Sequence, residues 1–146
     1  MKTKDFTEVL KVDSTPESIF QTILNPQKWW VGFYDESFEG SSHQLNDEFI
    51  FRAGDGVHYS KQKLIEVEPS KRLVWLVTDS KLSFLEKQDE WTGTKIVFEI
   101  SKEDNYSILN FRHEGLTPEV ECYDACAPAW SQYLLKKLLP LIHSGK

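Results

Sequence analysis

TPEVECYDACAPAWSQYLLKKLLPLIHSGK, residues 117–146, is the stretch whose reading decides the fold. Tyr123, Ala127, Trp130, Leu134, Leu138 and Leu141 recur at steps of three and four residues, which places them on one face of a helix. That face needs a partner, and the strands that precede it supply one. The spacing predicts one long amphipathic helix. Thr117 is expected to cap it, Pro118 suits the first helical position, where an N–H would go unpaired, and Glu119 and Glu121 complement the positive end of the dipole. Lys136, Lys137 and His143 sit where the dipole favours positive charge, and Gly145 suits the left-handed conformation that ends a helix. Pro128 removes a backbone donor and crowds the carbonyl of Asp124, so a kink over Asp124 to Pro128, or a helix in two pieces, is expected. Pro140 is expected to bend the final turn.

The chain has 146 residues, a length typical of one domain, so residues 1–146 are read as a single unit. With 9 Phe, 5 Tyr and 5 Trp it can furnish a substantial core. A formal net charge of −6, without a Lys/Arg cluster, argues against nucleic acid and against anionic membranes. No apolar run approaches the roughly 20 residues needed to cross a bilayer, and MKTKDFTEVLKV is too polar for a signal peptide. Cys122 and Cys126 read as reduced thiols, and the localisation expected is cytoplasmic.

Outward from the closing helix, the remaining segments follow from local patterns. Phe6, Glu8, Leu10 and Val12 share one face of an opening strand. Thr15-Pro16 then starts a short helix with Ile19, Phe20, Ile23 and Leu24 on its buried side. Asn25-Pro26 ends it and starts a second, which carries Trp29 and Trp30; adjacent in sequence, these two rings are not expected to point inward together. Strands are expected near residues 35–40, 48–53, 57–67, 72–78, 94–101 and 106–113, with turns at Gly54-Asp55-Gly56, Pro69-Ser70, Thr92-Gly93 and Glu103-Asp104-Asn105. The short connections leave no room for crossover helices, so the sheet is read as antiparallel. Asp79–Trp91 stays open between a short strand and a loop packed over the sheet.

Several stretches carry a resemblance that covers nearly the whole chain. They are Thr15-Pro16-Glu17, Trp29-Trp30, Lys61-Gln62-Lys63-Leu64, Val74-Trp75-Leu76-Val77-Thr78-Asp79-Ser80, Glu90-Trp91-Thr92-Gly93-Thr94, His113-Glu114-Gly115-Leu116 and Trp130. In this order of elements the sequence resembles the START-like (SRPBCC, birch-pollen-allergen) superfamily, and within it the branch named for activators of the heat-shock protein 90 ATPase. The resemblance implies an α+β helix-grip fold: a curved antiparallel sheet wrapped around a long C-terminal helix, with two short helices after the first strand. Members of this superfamily often leave a hydrophobic cavity between sheet and helix; some bind lipids, sterols or plant metabolites, others act as polyketide cyclases or aromatases, and others as chaperone partners.

Strand parity assigns the residues that would line such a cavity. Phe49, Phe51, Trp75, Phe98 and Phe111 are read onto the inner face, opposite Tyr123, Cys126, Trp130 and Leu134 of the helix, with Trp30 from the second short helix and Tyr59 from the meander. His113 shares parity with Phe111 and is the first choice for a polar group on that wall, although a hydrogen-bonded structural histidine is the readier account of it. Rings at these spacings can equally pack against one another and leave no void. Cys122 and Cys126 stand one helical turn apart, but no second Cys or His pair completes a metal set. No nucleophile elbow, phosphate loop or dinucleotide fingerprint occurs, and no cofactor is called for. The function expected is therefore binding of a small apolar or aromatic molecule, lipid-like or polyketide-like, as carrier or sensor and without catalysis. The alternatives are a cochaperone-type protein-interaction domain and a cyclase-type enzyme.

Overall fold

In β1 (Phe6–Val12) alternation turns Leu10 and Val12 inward and leaves Thr7, Val9 and Lys11 exposed. The chain is described here from a computed structural model, over residues 5–54 and 57–144. Asp55-Gly56 and Gly145, assigned above to a turn and a helix end, lie outside the described residues. After β1, the Thr15 hydroxyl accepts from the Ser18 N–H at 3.1 Å and caps α1 (Pro16–Ile23). Pro26 opens α2 (Pro26–Trp29). Six further strands follow: β2 (Ser37–Gly40), β3 (Glu48–Ala53), β4 (His58–Glu68), β5 (Arg72–Leu82), β6 (Lys95–Lys102) and β7 (Ser107–Glu114). Together they make a seven-stranded sheet in the order β1-β7-β6-β5-β4-β3-β2, with each neighbouring pair antiparallel. Gly40 ends β2 at φ 96°, and a Cβ there would collide with the Glu48 carbonyl, so this close approach needs glycine.

The C-terminal segment closes on the inner face of the sheet, as a helix-grip fold requires. It consists of α3 (Tyr123–Tyr133), a π turn (Leu134–Leu138) and α4 (Leu139–Ser144). Trp130 is buried against Phe111 and Trp30, with ring centroids 4.7 and 4.8 Å away. Helix thus begins at Tyr123 and not at Thr117, and residues 117–122 form turns. The cause is tertiary: the Glu90 carboxylate accepts the N–H groups of Glu121 and Cys122, at 2.9 and 2.8 Å, and does the capping expected of Thr117. Pro128 lies inside α3, and the irregular turn comes later. There the Leu139 N–H reaches back to the Leu134 carbonyl, five residues away, just ahead of Pro140, which has no N–H for the Lys136 carbonyl. The extra residue advances the buried stripe, so Ile142 is buried where Leu141 was expected.

Two further expectations change. Trp29 and Trp30 are both buried, because α2 stops at Trp29 and the Trp30 backbone leaves the helical region (φ −89°, ψ 48°). Adjacent side chains diverge on a helix, but a break between them lets both turn inward. β5 runs on to Leu82, so the stretch left open is strand first and connection afterwards. Among the described residues no helix is long and apolar enough to cross a membrane.

Trp30 packs at 3.9 Å on Phe51 and stacks on Trp130, joining sheet to helix. Trp30→Ala is therefore expected to destabilise the fold by about 3–5 kcal/mol, read as a lower urea midpoint at unchanged slope. A change within about 0.5 kcal/mol is what a surface residue would give, and would remove Trp30 from this position.

Candidate functional site

Three segments frame a hollow at one end of the grip. The β3–β4 hairpin brings Ala53, Gly54, Val57 and His58; the connection from β5 to β6 brings Phe84 and Trp91; α3 brings Ala125, Cys126, Ala129, Trp130 and Tyr133. Trp30, Tyr34 and Phe51 complete a cavity of about 220 Å³. Small residues on α3 leave the space: Ala125 and Ala129, with Cys126 between them, face the hairpin where larger side chains would fill the gap. Tyr34, Val57 and Phe84 are exposed at its edge, 47%, 41% and 48% respectively, so the mouth has an apolar rim.

The mouth is held by two carboxylates acting in opposite directions. Glu90, on the β5–β6 connection, accepts from the start of α3, and Glu121, at that start, accepts from the Glu86 N–H at 2.9 Å and the Lys87 N–H at 3.4 Å. Free backbone donors on each side are thereby satisfied by the other side's acid. On the far rim Glu36 accepts from the N–H groups of Gly32, Phe33 and Tyr34 and from the Tyr133 hydroxyl at 2.5 Å. Burial works to raise the Glu36 carboxyl, but Tyr133 and the backbone donors outweigh it and hold it below its usual range. Burial, and then the Glu36 charge, push the Tyr133 hydroxyl above its usual range, so it stays a protonated donor.

Two histidines stand either side of Trp91, each edge-to-face with it at 4.7 Å. His113 is fully buried behind the wall. Its Nδ1 accepts the Trp130 indole N–H at 3.0 Å, which puts the ring proton on Nε2. Nε2 then donates to the Thr94 hydroxyl at 2.8 Å, and that hydroxyl donates to the Trp91 carbonyl at 2.6 Å. His113 is thus a structural histidine with both nitrogens engaged, and it does not line the cavity. Burial, with a smaller contribution from His58, pushes it down to about 3. His58 does line the cavity; burial pushes it down to about 4, and its Nε2 is sealed without a partner among the described residues.

Of the residues singled out by parity, Trp30, Phe51, Cys126 and Trp130 reach the wall. Trp75, Phe98, Phe111 and Leu134 pack below it in the core, and Phe49 instead borders a separate hollow of about 200 Å³ beside Pro26 and Ser42. Tyr123 is half-buried and off the wall. Tyr59 is on the outer face, its hydroxyl 3.4 Å from Asp79, because β4 turns Ser60, Gln62 and Leu64 inward. The face reverses only after the bulge between Leu64 and Glu66. His58, Trp91, Tyr34 and Tyr133 were missed: the alternation His58, Ser60, Gln62, Leu64 is legible, but three polar residues did not read as an inner face. Cys122 and Cys126, expected as free thiols, are paired with each other in the structure, with Cα atoms 5.6 Å apart. Among the described residues no cluster of His, Cys, Asp or Glu is placed to hold a metal.

No protein-family model matches the sequence, and no curated protein matches it. Solved structures do match. The Aha1 dimer of Colwellia psychrerythraea aligns with TM-score 0.70 at 20% identity, over 91% of this chain and 92% of its own. The chain shares its fold. Protein MLL2253 of Mesorhizobium loti aligns at TM-score 0.72 and 18% identity, over 96% of this chain and 98% of its own. CalU16 of Micromonospora echinospora aligns at TM-score 0.60 and 15% identity, over 93% of this chain and 73% of its own. At these identities the likeness to Aha1 and to the others is one of fold, and it agrees with the superfamily resemblance carried by the sequence motifs.

Neutral burial of His58 and His113 has a pH signature. Both are depressed below the unfolded value of about 6.5, so below that pH the unfolded chain binds protons that the folded chain refuses. Stability is expected to be level above about pH 6.5 and to fall toward pH 4, by up to roughly 1 kcal/mol per pH unit for each ring. A urea midpoint unchanged between pH 7 and pH 5 would contradict neutral burial.

Proposed function

We propose that the protein binds a small apolar or aromatic molecule in the cavity between the β3–β4 hairpin, the β5–β6 connection and α3, as a carrier or sensor that does not turn it over. The cavity itself carries this reading. An apolar cavity of about 150 Å³ is enough to take benzene, so 220 Å³ suits one or two fused rings. The wall has the composition of a small-molecule site, rings and alanines with few polar groups. At about 25 cal/mol per Å², burying about 250 Å² of apolar ligand surface is worth roughly 6 kcal/mol before the costs of association. Affinities from tens of micromolar to millimolar follow for a ligand without polar contacts. Binding without turnover is supported by the ionisable pair on the wall, since His58 is held neutral and Tyr133 is tied to Glu36.

A second reading, a protein-interaction domain, is favoured by the exposed rim of Tyr34, Val57 and Phe84, the chemistry of a docking patch. One screen separates the two. Benzenoid and naphthalenoid compounds, with flavonoids, fatty acids and sterols as larger members, are to be tested by equilibrium dialysis. At least one small-ring compound is expected to bind saturably, to lose binding in Ala129→Phe, which fills the cavity, and to keep it in Lys102→Ala. Saturable binding unaffected by Ala129→Phe, or none at all, would leave the docking reading in its place, and chemical change of the bound compound would make the protein an enzyme.

A further inference from the structure

Charge is spread unevenly over the molecule. The sheet carboxylates Glu39, Glu48, Glu66, Glu99 and Glu114 each have an arginine or lysine 2.6–3.5 Å away. Three stretches that meet at the cavity mouth, residues 30–36, 83–94 and 115–126, are different: each supplies wall residues, and together they carry eight Asp and Glu against one base, Lys87. That is seven negative charges where the whole chain carries six net, so the rest of the protein is close to neutral. The acids are Asp35 and Glu36 in the first stretch, Glu86, Asp89 and Glu90 in the second, and Glu119, Glu121 and Asp124 in the third. All are exposed or half-buried, and among the described residues none is in an ion pair. Glu36, Glu90 and Glu121 accept from backbone N–H groups, which disperse their charge but do not cancel it. Unpaired like charges repel one another, so the mouth is a negative field with Lys87 alone among these stretches to offset it.

We propose that the cavity takes an organic cation, a molecule whose apolar body fills the hollow and whose ammonium group stays at the mouth among these carboxylates. The proposal rests on the cavity reading above and adds the sign of the ligand's charge. The wall agrees with it: three Trp, two Tyr and two Phe line the cavity while no Lys or Arg does, and aromatic rings attract cations. Tyr34 and Phe84 are exposed at the edge, where a group that has not left water can meet them. Lys137 holds its ammonium 5.0 Å over the Phe33 ring, so a ring of the first stretch already takes a cation. Deep burial of the ligand's charge would cost its hydration, whereas at the mouth both water and the carboxylates reach it. An anionic ligand enters the same field with the wrong sign.

The test compares three probes that share one ring system in equilibrium dialysis at pH 7.5: (2-naphthylmethyl)trimethylammonium, its uncharged isostere 2-neopentylnaphthalene, and 2-naphthylacetate. At about 20 mM salt the cation is expected to bind at least about tenfold more tightly than the anion, and at about 0.5 M salt, where charges are screened within a few ångströms, less than about threefold. Glu119 and Asp124 are exposed and make no side-chain hydrogen bond among the described residues, so the double variant Glu119→Gln, Asp124→Asn leaves the frame of the mouth intact. It is expected to narrow the preference. Glu103→Gln with Asp104→Asn, the same change in net charge at the turn on the far end of β6, is expected to leave it. Equal binding of cation and anion, tighter binding of the anion, or equal narrowing by the two double variants would overturn the inference, and saturable binding of the neutral probe would then leave the cavity reading standing. Failure of all three probes to saturate would overturn both.

Discussion

Everything in this fold leans on the inward turn of Trp30. Had α2 continued one residue further, Trp30 would have pointed away from Trp29 and out of the core; instead its backbone leaves the helix and the ring lodges between Phe51 of the sheet and Trp130 of α3. Phe38, Phe49, Trp75 and Tyr133 also touch it. One side chain therefore ties α2, three strands and the closing helix together. The same ring is part of the cavity wall, so the position that consolidates the core also sets the depth to which the core is filled.

Much of this architecture was legible because it is written in local periodicities. Period-two alternation located β1, β3, β6 and β7, turn residues bounded them, and Thr15-Pro16 marked α1 by cap chemistry that needs no tertiary partner. The stripe from Ala127 to Leu138 identified the helix that closes the sheet. What escaped the sequence depends on residues far apart in it. The start of α3 is set by Glu90, some thirty positions upstream, which no helix-capping rule applied to Thr117 detects. The buried phase at Ile142 depends on a π turn, which a regular 3.6-residue repeat does not represent.

The cavity was the hardest feature to read for a different reason. Parity found bulky inner-face rings, and bulky rings are what fill a core; Trp75, Phe98 and Phe111 do so. Space arises where residues are small or polar, at Ala125 and Ala129 and beside His58, and neither kind stands out as a site in a one-dimensional pattern. His113, the polar residue that parity did single out, is fully satisfied by Trp130 and Thr94. The histidine that lines the cavity is His58.

The paired carboxylates at the mouth and the ring column beneath it make a rigid frame around a small gap, and the column has an optical consequence. All 5 tryptophans of the chain belong to one connected set of ring contacts, Trp75 to Trp29 to Trp30 to Trp130 to Trp91, with neighbouring centroids 4.8–6.3 Å apart and planes within 29° of parallel. Indoles this close and this nearly aligned couple as excitons, so the near-ultraviolet circular dichroism of the protein belongs to the array and not to individual residues. The array reaches from Trp75 in the core to Trp130 and Trp91 at the cavity wall, so excitation absorbed by any one member is shared across the depth of the grip.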